Sequence, residues 1–313
     1  AIGQEGAVID SVLLIAFGGP TRPEEIRPFL ANVAAGRRIP AERIEEVARH
    51  YERIGGRSPL NELTFRQAEG LRSCLKREGI ALPVYVVMRN WQPLLAEALA
   101  EMAAKVQTAA LWIILSSLQT EASWERYQAD VSRARDLVGP SAPTVRYAPP
   151  WSDHPLFIES VAERVEAALA EVPESERTRA PLVFTAHSVP VAMAQASPYV
   201  AQLTAASGLV ARRLGCAEFL LAYQSRSGDP REPWLEPDIG QIIERLAADG
   251  ARHAVVVPIG FVVDHVEVLY DLDVGARAVA ERLGLSLHRA HAPNDHPPFI
   301  TMLADLVKQA LAA

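Results

Sequence analysis

The sequence predicts an α/β protein of two similar halves, each a four-stranded parallel sheet flanked by helices. Three observations lead there. Eight apolar runs rich in β-branched residues alternate with segments long enough for helices. Such runs, lacking strict polar alternation, are what strands buried on both faces produce. The intervening segments 94–107 and 239–249 carry apolar residues at three- and four-residue intervals, as amphipathic helices do. Finally, the two halves close in nearly the same words. Ala148-Pro149-Pro150-Trp151-Ser152-Asp153-His154-Pro155 is answered by Ala292-Pro293-Asn294-Asp295-His296-Pro297. This internal repeat makes the halves two Rossmann-like domains.

In the first half the runs fall at 12–17, 83–88, 109–115 and 144–147; in the second at 181–185, 218–223, 253–259 and 285–289. After the fourth run of each half, Asp-His-Pro opens a helix: the carboxylate suits capping of free amides, and proline suits the first turn. The domains are therefore set at 8–150 and 151–313, with a terminal helix over 297–312 expected to pack back on the first domain. Gly55-Gly56-Arg57-Ser58-Pro59 reads as a helix stop and turn, or as a loop leaning over the site.

Composition bounds the function. With 313 residues, 49% hydrophobic and 22% charged, the chain can bury a sizeable core as a soluble protein. A formal net charge of −7 without a basic stripe argues against nucleic acid as a partner. The longest apolar stretches, 109–115 and 254–263, fall short of the roughly 20 residues a spanning helix needs. The start, residues 1–6, shows neither a basic nor an apolar leader region, so a cytoplasmic location is expected. Cys74 and Cys216 lack a C-x-x-C spacing and read as reduced packing residues; an iron–sulfur cluster, which needs about four thiolates, is not expected. A monomer is expected.

Ligands of open α/β sheets sit beyond the carboxyl ends of the strands. The post-strand loops fall in matching pairs: Phe17-Gly18-Gly19-Pro20 with His187-Ser188-Val189-Pro190, 89–93 with 224–237, and 116–124 with 260–267. Two domains facing each other would enclose a cleft lined by all of them. His187 is either a neutral imidazole able to ligate a metal or take a proton, or a buried histidine capping the next helix. The run Asp264, His265, Glu267, Asp271, Asp273 is either a solvated helix face or a metal path. Glu267 and Asp271, four apart, are neighbours on one helix side and repel unless a cation or proton lies between them. Gly18-Gly19-Pro20 lacks the glycine-rich nucleotide patterns, so ATP is not expected. Trp234 reads as a loop anchor or a ligand contact. His50, His154, His253, His288, His291 and His296 show no mutual metal-site spacing and read as structural or surface residues.

Taken in order, the residues resemble ferrochelatase, the enzyme that inserts ferrous iron into a porphyrin. The segments are Leu14-Ile15-Ala16-Phe17-Gly18-Gly19-Pro20, Tyr51-Glu52-Arg53-Ile54-Gly55-Gly56-Arg57-Ser58-Pro59, Ala186-His187-Ser188-Val189-Pro190, Tyr223-Gln224-Ser225, Pro233-Trp234-Leu235 and Gly260-Phe261-Val262-Val263-Asp264-His265-Val266-Glu267-Val268-Leu269-Tyr270-Asp271. The resemblance covers essentially the whole chain, and the family's paired Rossmann-like domains agree with the repeat. It implies that His187 and Glu267 are catalytic and meet the metal, that Asp271 continues the metal line, and that Phe17, Tyr51, Ser58, Tyr127 and Trp234 contact the macrocycle or its propionates. Fe²⁺ would be a substrate, with no tightly bound cofactor and no ATP. The compact length resembles short soluble bacterial members, favouring coproporphyrin III over protoporphyrin IX as the porphyrin partner. Competing readings are a chelatase for another metal or tetrapyrrole, such as cobalt into sirohydrochlorin, and a non-catalytic porphyrin or haem carrier. The chain departs from the family pattern at Phe17, where short members often carry tyrosine. Ala34-Ala35 replace a basic residue, leaving Arg37 or Arg38 for the propionates. Gly275 stands where relatives have a third acid, and Asn90-Trp91-Gln92-Pro93 lacks a histidine.

Overall fold

A computed structural model describes residues 7–313, so the reading made on residues 1–6 lies outside the described residues. The first sheet holds β1 (Ser11–Ala16), β2 (Val84–Met88), β3 (Ala109–Ile114) and β4 (Thr144–Tyr147). The second holds β5 (Leu182–His187), β6 (Leu220–Gln224), β7 (His253–Val257) and β8 (Ser286–Arg289). All pairings are parallel, and the strand orders β2-β1-β3-β4 and β6-β5-β7-β8 are the same path traced twice. In each half the order reverses between the first and third strands. That reversal opens a crevice between β1 and β3, and another between β5 and β7, at their carboxyl ends.

The central strands β1 and β3 are buried at every residue, whereas the edge strand β4 is not, which explains why the central runs are apolar throughout. Most strand ends shift by a residue or two from the sequence expectation, and two of the shifts bear on the site. β5 runs two residues further, so His187 is its last residue, paired with Gln224 of β6. β7 stops at Val257 because Pro258 has no N–H for the ladder.

One apolar cluster passes through both halves, joining Leu14 and Val86 to Phe184 and Val257 by way of Phe157, Phe299 and Leu303. Trp151, buried at the junction, meets Phe157 and Phe299 edge-on with centroids 5.1 and 5.9 Å away. The terminal helix Pro297–Ala312 packs on both Pro155–Ala170 and Leu60–Arg77. Two histidines at helix starts tie this junction reciprocally: His154 Nε2 lies 2.7 Å from Asp305 on the terminal helix, and His296 meets Glu163 on helix Pro155–Ala170. The repeated Asp-His-Pro works through its histidine. His154, not Asp153, caps its helix, Nδ1 accepting from the Leu156 amide at 3.1 Å.

Candidate active site

The second crevice places His187 and Glu267 together. His187 ends β5, and Glu267 sits on the single helical turn Val266–Leu269 that follows β7. The strand-to-turn passage is tight. A Cβ at Gly260 would lie 2.7 Å from the Ala186 Cβ, and the Gly260 amide donates to the Thr185 carbonyl at 3.0 Å. Only glycine lets this loop press against the end of β5.

Glu267 lies between two imidazoles. Its Oε1 is 3.4 Å from His187 Nε2, and its Oε2 is 3.2 Å from His265 Nε2. His187 is fixed from behind: its Nδ1 donates to the Ser188 carbonyl, and its own carbonyl accepts from the Tyr199 hydroxyl at 2.7 Å. Gln224, the last residue of β6, donates from its side chain to the Glu267 carbonyl at 2.7 Å. Its neighbour Ser225, in the left-handed region at φ 63°, donates to Asp271.

Withdrawal from water alone disfavours a charged imidazole, but the adjacent Glu267 carboxylate outweighs it and pushes His187 up to about 9. Burial likewise favours a neutral Glu267, yet the charge of His187 and hydrogen bonds from both histidines hold it well below the usual carboxylate range. Each member of the pair thus favours the charged form of the other, an imidazolium beside a carboxylate. Burial, reinforced by the charge of Glu267, pushes Asp271 up to about 6 against the opposing Ser225 hydroxyl.

The first half closes over this group. His50 stacks on Tyr270 at 3.9 Å between centroids, and Val266 packs into the cluster of Ile26, Phe29 and Tyr51. Phe17 and Tyr51 both meet Phe29 edge-on, at 6.2 and 6.1 Å. Tyr51 and Tyr127 are buried, which pushes both phenols up, and the charge of Glu267 acts in the same direction on each. They remain O–H donors. Arg89 lies over the Tyr127 ring at 5.2 Å, and Arg37 stands close enough to Arg126 and Arg89 that burial and their like charge lower its proton affinity. Against these guanidinium groups stand Asp130, which takes Arg89 and Arg133, and Glu121, which takes Arg126 at 3.3 Å. The rim beside Tyr127 is thus net positive in a chain that is net negative.

Two further expected residues, Ser58 and Trp234, sit against the turns that follow β1 and β5. Ser58 is buried with its hydroxyl accepting from the Leu60 amide at 3.2 Å, starting the helix Leu60–Arg77. Trp234 lies in a strap pinned to the turn after β5, where Leu235 N donates to the Val189 carbonyl at 3.0 Å and Val191 N to the Pro233 carbonyl at 2.9 Å. Its ring covers Gly228. The acidic run divides: Asp264 and Asp273 turn away from His187 to Arg289. Helix Val266–Leu269 gives way to a wider π turn over Asp271–Ala276, so the single helical face expected for the run is not formed. Among the described residues, no three or more His, Cys, Asp or Glu side chains are arranged to hold a metal ion; Asp271 is turned to Ser225 instead of joining His187 and Glu267. The sequence places His265 in the acidic run and Gln224 in a cleft-lining loop, but assigns neither a role of its own in the site. The signal for His265 was its place two before Glu267 at the end of an apolar strand; Gln224 carried none of its own.

The β5–β7 crevice thus holds a histidine–carboxylate–histidine group, with buried phenols and arginines nearby. The ferrochelatase family profile matches residues 10–311, and the chain belongs to the ferrochelatase family. It is 44% identical over 311 residues to a coproporphyrin III ferrochelatase of Nocardia farcinica, covering 97% of this chain and 88% of that one. It is 41% identical over 305 residues to the coproporphyrin III ferrochelatase of Mycolicibacterium smegmatis, covering 96% and 90%. Among solved structures, the fold is shared with SirB from Bacillus subtilis with Fe³⁺ at a TM-score of 0.59 and 11% identity, covering 97% of this chain and 96% of that one. It is also shared with a multi-domain Deinococcus radiodurans protein, DR2241, described as structurally similar to chelatases, at 0.61 and 16%, covering 97% and 56%.

Proposed function

We propose that this protein inserts Fe²⁺ into coproporphyrin III in haem biosynthesis, with His187 and Glu267 at the point where metal enters and pyrrole protons leave. The observation that carries this reading is the Glu267 carboxylate held between His187 and His265 at the β5–β7 crevice. The named activity of relatives at 41–44% identity over nearly the full chain supports it.

Insertion replaces the pyrrole N–H protons by the metal. The approach of Fe²⁺ lowers the proton affinity of the His187–Glu267 pair, as a nearby cation does for any ligand group, and frees donors to meet the ion. The proton displaced from the His187–Glu267 pair leaves through Asp271, which is pushed up to about 6 and exchanges one readily near neutral pH; once iron has passed to the ring, the pair regains one of the two pyrrole protons and the other follows the first out through Asp271. Iron is a substrate in this reading, with no resident cofactor and no nucleotide. A site that completed a full ligand set would keep the ion, whereas two or three protein donors release it to the macrocycle. Half-buried Phe17, backed by buried Phe29 and Tyr51, offers a wall against which a ring seats, and bending it exposes the nitrogen lone pairs at a strain of about 1–5 kcal/mol drawn from binding elsewhere.

The porphyrin is assigned as coproporphyrin III because its extra propionates suit the positive rim of Arg37, Arg89 and Arg126 beside Tyr127. We place the enzyme, acting as a monomer, in the cytoplasm, a reducing compartment that suits its two free thiols. Anaerobic incubation with Fe²⁺ and either coproporphyrin III or protoporphyrin IX, followed by absorbance, tests the reading. Metalation of coproporphyrin III at the higher kcat/KM is expected; binding without metalation overturns it.

A further inference from the structure

We propose that Arg289 is a positioning residue for metal insertion, holding both ends of the segment that carries His265, Glu267 and Asp271. The inference rests on the chelatase reading above and adds a residue outside the site itself. Arg289 ends β8 and is nearly inaccessible, with 7% of its side chain exposed. Its Nη1 donates to Asp264 at 2.8 Å, while Nε and Nη2 make a fork to Asp273 at 2.7 and 2.6 Å. One guanidinium therefore spans residues 264 and 273, and every acid of the site lies between its anchors.

The segment needs such an external tie. Its α-helical part is the four residues Val266–Leu269, after which the hydrogen-bond pattern widens to the π turn. A helix this short has no stability of its own, and a π turn is a poor substitute for continued α-helix. The short helix does not by itself set how far Glu267 and Asp271 stand from His187, which belongs to a different strand; ties from outside contribute, Gln224 to the Glu267 carbonyl and Ser225 to Asp271 among them. Asp264 is secured a second time from the loop after β8, by His291 Nδ1 at 2.7 Å, Ala292 N at 2.9 Å and Asn294 Nδ2 at 3.0 Å. Among the described residues, Asp273 is met only by Arg289. The far end of the acidic segment thus hangs on two side-chain ties, Ser225 to Asp271 and the Arg289 fork to Asp273, beside the packing of buried Leu272. Buried ion clusters contribute little net stability, so this arrangement is better understood as setting a register than as holding the fold.

The test uses the full chain and two altered forms. Arg289→Lys keeps the charge but cannot form the fork. Arg289→Met combined with Asp273→Asn removes the far anchor and its charge together, leaving Asp264 its remaining donors. Arg277→Met is the control, since Arg277 reaches only the Leu287 carbonyl, at 3.0 Å, in the same neighbourhood. Both altered forms are expected to melt in one transition and to bind coproporphyrin III, followed by fluorescence, within about threefold of wild type. Their kcat for iron insertion is expected to fall by about tenfold or more, the cost of a displacement on the order of 1 Å at a reacting group. The control keeps its kcat. Retention of kcat within about twofold overturns the proposal, as does a loss that tracks unfolding or lost porphyrin binding, because either outcome makes Arg289 merely structural. Absence of insertion by the wild-type chain would instead overturn the chelatase reading on which the proposal stands.

Discussion

Glu267 shares its two carboxylate oxygens between imidazoles from different parts of the chain, His187 Nε2 at 3.4 Å and His265 Nε2 at 3.2 Å. The carboxylate can therefore lose one partner to an incoming cation and still be held by the other. A lone ion pair would swing free when the metal displaced its proton.

His187→Ala is expected to fold normally, bind coproporphyrin III, and lose iron insertion by about 10²–10⁴-fold, the usual worth of a positioned acid–base group. Glu267→Gln should behave alike, because it removes the charge that His187 and His265 both face. Anaerobic initial rates measure this, with fluorescence reporting porphyrin binding; near-wild-type turnover in His187→Ala would remove that residue from the mechanism.

The two perturbed groups predict stability changes whose signs follow from linkage. His187 is raised from 6.5 to about 9, so its contribution is complete below pH 6.5 and is lost as pH rises through about 9. Asp271 is raised from 3.8 to about 6, so the fold prefers its neutral acid, and stability falls as pH rises from 3.8 through about 6. Asp271→Asn should then stabilise the protein at pH 7 by roughly 1 kcal/mol or more. The gain should vanish near pH 4. Thermal melts of both proteins across pH 4–10 decide this, and a gain that persists at pH 4 would rule out the carboxylate as its origin.

Gly260→Ala is expected to damage both stability and activity. The added methyl would sit 2.7 Å from Ala186 Cβ and 2.8 Å from its Cα, directly beneath His187. Backbone must move, at a cost of about 1–3 kcal/mol, and the movement shifts the imbalance onto the catalytic strand end. A denaturant midpoint together with kcat measures both effects; Gly250→Ala does not serve as a comparison because Gly250 has a positive φ, whereas Gly208→Ala, whose methyl would meet Phe219 at an ordinary 3.7 Å, does.

At the junction of the halves, His154→Ala removes a helix cap and the 2.7 Å contact to Asp305. A loss of about 1–2 kcal/mol is expected, seen as a lower urea midpoint with insertion kinetics unchanged. Altered kcat would show that the junction communicates with the site.

Much of the fold was legible because parallel strands buried on both faces leave continuous apolar runs, and because the repeat at Trp151 and Ala292 declared the symmetry. Strand ends were less so: His187 reads as a loop residue until Gln224 is seen opposite it in β6. Within the site, His187 and Glu267 were legible by type and position. His265 was hidden inside what read as an acidic run, and Gln224 carries no chemical signature that distinguishes it from any surface glutamine.

The sequence by itself determined the two-sheet α/β architecture, the family and the identity of the central pair, since periodicity, repeat and motif order are properties of the chain. Tertiary structure alone decided which acids serve the site. Asp264, Glu267, Asp271 and Asp273 look alike along the chain, yet Arg289 withdraws the first and last, Ser225 claims Asp271, and only Glu267 faces His187. The physical reason is that a carboxylate's role is set by the partner that reaches it, and those partners come from strands 16 to 80 residues away.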